Sequence, residues 1–263
     1  MQLKSSPFQV FQTVILALFL RELKTRFGES RLGPIWVIME PLVHIVVMLL
    51  IFSVLMGRMM PEIPYSLFLV TGLVPFFLFK NIVTNLMNSI QANKALFSYR
   101  PVRPIAVYLA RTLLDTIIYT SIFIFIIIIL SWFGAVDVSI SNPLELLLTL
   151  AMIVLFGLSV GILFSIVVHK FPFFKIVINV LMTLLYFISG VMFPLWVIPS
   201  QYLPYLLYNP VLHLIELFRE SFFSYYPVTN GISIEIPIFS TLVFGYIGLW
   251  FYVKREIYLK SST

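Results

Sequence analysis

Residues 76–104 read FFLFKNIVTNLMNSIQANKALFSYRPVRP. The stretch begins as a membrane helix and ends as a basic, proline-bounded loop. At about 100° per residue, Asn81, Thr84, Asn85 and Asn88 share one helix face, with Lys80 and Gln91 along its edge. The opposite face, Phe79, Ile82, Val83, Leu86 and Ile90, is wholly apolar. Polar side chains are costly toward lipid, so the stripe should face protein or a water-filled path.

Working outward, composition bounds the class. The 263 residues are 60% hydrophobic and 11% charged, against roughly 25% charged for a soluble domain, which points to a polytopic membrane protein. No segment is polar for long enough to form a soluble appendage, so residues 1–263 are expected to form one membrane domain. Cysteine is absent, which excludes disulfides and thiol chemistry. The apolar run Val14–Leu20 lacks a small-residue cleavage site and ends in Arg21-Glu22, so no cleavable signal is expected.

The pattern predicts an all-α fold with an N-terminal interfacial helix at 8–27 and six spans at 35–56, 66–88, 105–132, 144–168, 173–192 and 236–253. The first helix has too short an apolar core to span. Its Phe8, Phe11, Ile15 and Phe19 suit lipid, while Arg21, Lys24 and Arg26 suit head groups or a partner. Of the 17 Lys and Arg residues, all but Arg58, Arg219 and Lys80 fall in segments that are inner if the N-terminus is inside. By the positive-inside rule both termini are cytoplasmic, which needs an even number of spans. The outer segment 193–235 is broken by Pro194, Pro199, Pro204 and Pro210, so short re-entrant or interface-lying helices are expected there. Trp196, Tyr202 and Tyr205 in it form either an aromatic belt or a surface on which sugars stack.

Enzyme chemistry finds no foothold. There is no G-x-x-x-x-G-K-[ST], no H-E-x-x-H and no G-x-S-x-G; His44, His169 and His213 stand in separate segments, so no metal site is expected. Glu40 and His44, one helical turn apart with Trp36 on their face, either serve a proton-coupled carrier or orient a helix at the inner interface. Arg111 and Asp115 are similarly spaced and can pair with each other, and they too can serve to orient a helix at the inner interface.

The segment Arg21–Pro41, RELKTRFGESRLGPIWVIMEP, resembles the entry of an ABC-2-type exporter permease. Gly72-Leu73-Val74-Pro75-Phe76 is similar to the opening of that family's second span, and Asn209-Pro210 followed by Arg219 to the outer segment before its last span. With Lys24-Thr25-Arg26-Phe27-Gly28, the likeness is to the inner-membrane permease of capsular polysaccharide exporters; O-antigen and teichoic-acid permeases are built alike. The resemblance implies a homodimer in the cell inner membrane bound to two copies of a separate ABC ATPase, which holds the ATP and Mg; this chain carries no cofactor and meets no nucleic acid. It implies a lipid-linked polysaccharide as cargo, with periplasmic and outer-membrane export components beyond. It also implies that the loop after span two couples to the ATPase, here through Lys94, Phe97, Tyr99, Arg100 and Arg103, although the basic residues alone also satisfy the positive-inside rule.

On that reading Trp36, Lys80, Asn81, Thr84, Asn85 and Asn88 line a substrate tunnel, and Arg21, Lys24, Arg26 and Arg31 mark the entry. The same asparagines would also serve as glue between two membrane helices. An ion-coupled secondary carrier and a membrane enzyme acting on lipid-linked sugars are the alternatives from other classes. The enzyme reading has only His213, Glu216 and Glu220 to draw on.

Overall fold

A computed structural model describes residues 6–28, 33–56, 63–99, 101–132, 140–227 and 229–261. Among them there are only helices and turns. Local chemistry explains several helix starts. Helix α1 (Pro7–Phe27) opens on a capping box in which Ser6 Oγ accepts from the Gln9 amide and the Gln9 side chain accepts from the Ser6 amide. It stops at Gly28, where φ is 64°. Helix α2 (Gly33–Met56) carries Pro41 inside it, and α3 (Tyr65–Met87) carries Pro75. A one-turn helix α4 (Ser89–Ala92) and a 3-10 turn, Lys94–Ser98, follow. Helices α5 (Pro104–Trp132), α6 (Pro143–Lys170) and α7 (Phe174–Ile188) come next. After a short 3-10 turn, Leu195–Val197, and α8 (Leu203–Leu206), helix α9 (Pro210–Phe222) starts on Asn209, whose side chain accepts from the Val211 amide at 3.0 Å. Helix α10 (Glu235–Ser261) ends the described chain.

Four of these helices, α3, α5, α6 and α10, are long and apolar enough to cross a membrane. They coincide with four of the six expected spans. Helix α2 runs over 24 residues and covers the expected span 35–56, whereas α7, Phe174–Ile188, is shorter than the sequence implies. Fifteen residues of α7 rise about 22 Å, less than a hydrocarbon core of about 30 Å. The expected span ran to residue 192. Gly190 takes φ 68° and turns the chain out of the helix before that point.

Helix α3 is the hub. It packs on α2, α5, α6 and α9 and is buried along most of its length. Its most extensive packing is on α6, where two small residues four apart let the helices approach. A Cβ on Gly161 would lie 2.6 Å from Leu86 Cδ1 and 2.9 Å from Leu86 Cβ, and one on Gly157 would lie 3.2 Å from Ile82 Cγ2. One turn away Phe79 stacks on Phe156 with ring centroids 5.3 Å apart. Replacing Gly161 with Leu is therefore expected to destabilise the α3–α6 contact by about 1–3 kcal/mol. A lower thermal midpoint of the detergent-purified protein would register this; an unchanged midpoint would mean that the contact is dispensable.

Candidate functional site

The C-terminal ends of α1 and α3 and the N-terminal part of α5 are stitched by buried charge. Arg111 on α5 donates through Nε and Nη2 to Glu22 Oε1 at 3.0 and 2.9 Å, and through Nη1 to the Asn85 carbonyl at 2.8 Å. Asp115, with no exposed surface, pairs with Arg26 and accepts from Asn85 Nδ2 at 3.0 Å on each oxygen. Arg21 donates to Asn93 Oδ1 at 2.7 Å, and Asn93 in turn donates to the Ser89 carbonyl at 2.9 Å. Arg111 and Asp115 thus do not pair with each other as their spacing suggested. Each meets the opposite charge on α1, where Glu22 and Arg26 repeat the four-residue spacing with the signs reversed. Helix α1 therefore belongs to the packed body. Leu18 and Glu22 are buried, and Phe11, Ile15 and Phe19 pack on the core, while Phe8 and Lys24 stay exposed.

This network divides the polar face of α3. Asn85 is committed to Asp115. Asn81 donates to the Phe77 carbonyl at 2.9 Å, Thr84 to the Lys80 carbonyl at 3.0 Å, and Asn88 to the Thr84 carbonyl at 2.7 Å. All four are half-buried. In the three that bond back to their own helix, the oxygen lone pairs and, in Asn81 and Asn88, the second amide N–H are the groups left to meet a neighbour. Nearby, His44 Nε2 and Tyr186 Oη are 2.9 Å apart, joining α2 to α7. The segment that follows α3 turns inward at Phe97, which is 5% exposed and sits in the core, and outward at Lys94, Tyr99 and Arg103. Arg31 and Arg100 lie outside the described residues, as do the side chains of Trp36 and Glu40 on α2.

Comparison with known proteins gives this architecture a family. Residues 13–223 match the model of the ABC-2 type transporter. The chain belongs to the ABC-2 type transporter family. It is 43% identical over 257 residues to the polysialic acid transport protein KpsM of Escherichia coli, covering 98% of this chain and 99% of that one. It is 29% identical to the capsule polysaccharide export inner-membrane protein CtrC of Neisseria meningitidis serogroup A, over 80% of this chain and 79% of that one. The O-antigen export system permease protein RfbA of Klebsiella pneumoniae is 24% identical over 90% and 89%. The chain is therefore a transport permease and not itself a catalytic enzyme.

In this ABC-2 permease the family match ends where α9 ends, and the outer segment holds the second buried charge cluster. Arg219, fully buried, donates to the carbonyls of Gly190 at 2.7 Å, Val191 at 2.9 Å and Phe68 at 3.2 Å, and to Glu216 Oε1 at 3.0 Å. Its guanidinium lies 3.6 Å from the Phe68 ring centroid. A Cβ on Gly72 would stand 2.2 Å from Arg219 Nη2, so a glycine in α3 makes the room. Tyr226 Oη donates to both Glu216 oxygens at 3.1 and 3.0 Å; burial pushes this hydroxyl up, which keeps its proton in place. Trp196 packs edge-on against Phe68 and Tyr226, whereas Tyr202 and Tyr205 point outward, 55% and 76% exposed.

The group His213, Glu216 and Glu220 does not converge on a free site: Glu216 is spent on Arg219 and Tyr226, and the His213 ring on backbone. Sequence reasoning missed Arg219 as a structural clamp. The available signal was an arginine on an outer segment otherwise poor in basic residues, three residues after a glutamate.

Two outcomes follow. Removing one partner of a buried pair typically costs about 3–5 kcal/mol, while removing both costs much less. Arg111→Leu is thus expected to unfold the purified permease well below the wild-type temperature, with Glu22→Leu/Arg111→Leu recovering much of the loss; no recovery would show that the two do not act as a pair. The second concerns His213, whose Nε2 donates to the Leu207 carbonyl at 2.7 Å while Nδ1 accepts from the Ser233 amide at 3.1 Å. Burial holds this imidazole below its ordinary 6.5. The neutral ring's contribution is therefore present above that pH and lost as pH falls through the lower folded-state value. Hydrogen exchange at Ser233 should accelerate between pH 7.5 and about pH 5.5, beyond the intrinsic trend, and His213→Gln should abolish that excess.

Proposed function

We propose that this chain is the membrane half of an ATP-driven exporter that moves a lipid-linked capsular polysaccharide outward across the inner membrane. The observation that carries the reading is its 43% identity, over nearly the full length of both chains, to a polysialic acid transport protein. A capsule-export inner-membrane relative supports the same cargo class. The transporter is a dimer of this chain with two copies of an ATPase, in keeping with the lack of a phosphate-binding loop in the sequence. In each copy α2, α3, α5, α6, α7 and α10 provide six crossings, with both termini in the cytoplasm. The ion-coupled carrier and membrane-enzyme readings are set aside because neither accounts for membership of this family.

The ATPase docks on the segment 92–104, through Lys94, Tyr99, Arg100 and Arg103, with Phe97 as the inward anchor that carries the push into the core. Because Asn93 holds Arg21, and Asn85 holds Asp115 and Arg111, a displacement of that segment is passed to α1, α3 and α5 together. Two copies of α2 and α3 line the path. Along it Asn81, Thr84 and Asn88 present neutral hydrogen-bonding groups that hold sugar hydroxyls weakly enough for a polymer to slide. Trp36 provides a stacking surface at the entrance, with Arg21, Lys24, Arg26 and Arg31 around it. Periplasmic and outer-membrane components receive the polymer. O-antigen export is the second reading, favoured by the Klebsiella relative.

Deleting this chain in its host should remove labelled polysaccharide from the surface and leave it inside on its lipid linker, the retained polymer separating capsule from O-antigen. Unchanged surface polymer would overturn the exporter reading. Within the path, Asn81→Leu/Asn88→Leu spares the Asp115 network and should lower export about tenfold or more, the loss of several hydrogen bonds, with the ATPase still bound. Loss of the dimer instead would make the stripe a helix–helix contact.

A further inference from the structure

Lys80 is a cation within a membrane helix, and its position is unusual in three respects. First, it sits seven residues before the inner end of α3, about 10 Å from that end. Second, it does not reach for the inner interface. Helix side chains lean toward the helix N-terminus, which in α3 is the outer end. The Lys80 ammonium follows that lean: it lies 5.6 Å from the ring centroid of Phe77, one turn further into the membrane. A snorkelling lysine would run the other way. Third, among the described residues no carboxylate lies within ion-pair distance of it. The buried cations Arg111 and Arg219, by contrast, each have a carboxylate at 3.0 Å or less, whereas Lys80 is half-buried.

The surroundings are polar and aromatic. Phe77 carries Lys80 on one side and packs edge-on against His44, with ring centroids 5.3 Å apart. His44 and Tyr186 share a hydrogen bond of 2.9 Å. Through Phe77, three helices thus link an ammonium on one side to a hydrogen-bonded imidazole and phenol on the other. A half-buried cation within a membrane helix that has no carboxylate beside it among the described residues gains when an anion visits.

We propose that Lys80, with the His44–Tyr186 pair and the Phe77 ring, forms an oxyanion subsite on the path, taking the anionic groups of the passing substrate. Those are carboxylates on acidic sugars or phosphates of the lipid linker. The subsite rests on the exporter reading above and narrows its cargo to a charged polymer or a charged linker. A single cation per copy binds one repeat at a time. It biases the polymer's register without trapping it, while the neutral amides below carry the uncharged hydroxyls.

The test uses the full permease–ATPase complex in lipid nanodiscs, reading stimulation of ATP hydrolysis. Three probes are compared: oligogalacturonate, the same oligomer carboxyl-reduced to neutrality, and a short-chain phosphatidate. Acidic oligomer should stimulate at lower concentration than its reduced form. Lys80→Gln should raise its half-saturating concentration about tenfold, Lys80→Arg should stay near wild type, and the reduced oligomer should be indifferent to either change. If Lys80 matters only for phosphatidate, the oxyanion is the linker's. If Lys80→Gln shifts acidic and neutral oligomers alike, or neither probe class depends on charge, the subsite is overturned. Should Lys80→Gln fail to assemble, Tyr186→Phe replaces it, with a selective loss for the anionic probes expected and equal loss for all overturning the site. Failure of the exporter reading is distinguishable, since surface polysaccharide would then persist when the whole chain is deleted.

Discussion

Arg111 is held by a carboxylate from α1 and a carbonyl from α3 while standing on α5, and its neighbour Asp115 repeats the arrangement with the charges reversed. Ions drawn out of water are tolerated when each finds its opposite and its remaining lone pairs or protons are met. That condition fixes three helices at once. Neither α1 nor α5 can slide along the other by one turn, because the matched spacing would then set like charges together. The contribution is to register more than to net stability, since an apolar replacement of the whole set would pack as well in energy terms.

Around this anchor the apolar packing is conventional for a membrane bundle. In lipid there is little hydrophobic drive between helices, so contact depends on shape and small residues. Gly157 and Gly161 supply that for α3 and α6, and Gly72 does so for the Arg219 clamp. The buried face of α3, the pair of glycines on α6 and the ion pairs to α1 and α5 together leave one flank of α3 half-open. That flank is where the amides and Lys80 stand.

Much of the architecture was legible in the sequence because span length and positive-charge asymmetry are physical consequences of the bilayer. The helix starts at Ser6, Asn142 and Asn209 are likewise local signals. The early end of α7 was not legible, since whether Gly190 continues or breaks a helix depends on what caps the carbonyls beyond it, and Arg219 comes from a distant segment. The polar face of α3 was read correctly as a face, but the commitment of Asn85 to Asp115 was invisible: i, i+4 spacing suggested an Arg111–Asp115 pair, and only the approach of α1 redirects both. Phe97, grouped with the docking residues, points into the core, which linear position in a loop does not reveal.

Arg219 and Arg111 hold α3 at opposite ends, one at the Phe68 carbonyl and the other at that of Asn85. The two points are seventeen residues apart, about 25 Å along the axis. A rod pinned at both ends cannot act as a piston. It can only tilt or turn, carrying its pins along. Displacements at the two ends are thereby mechanically simultaneous along this rod, and any compliance of the bundle must reside elsewhere, as in α7, which touches α3 and α6 only sparsely.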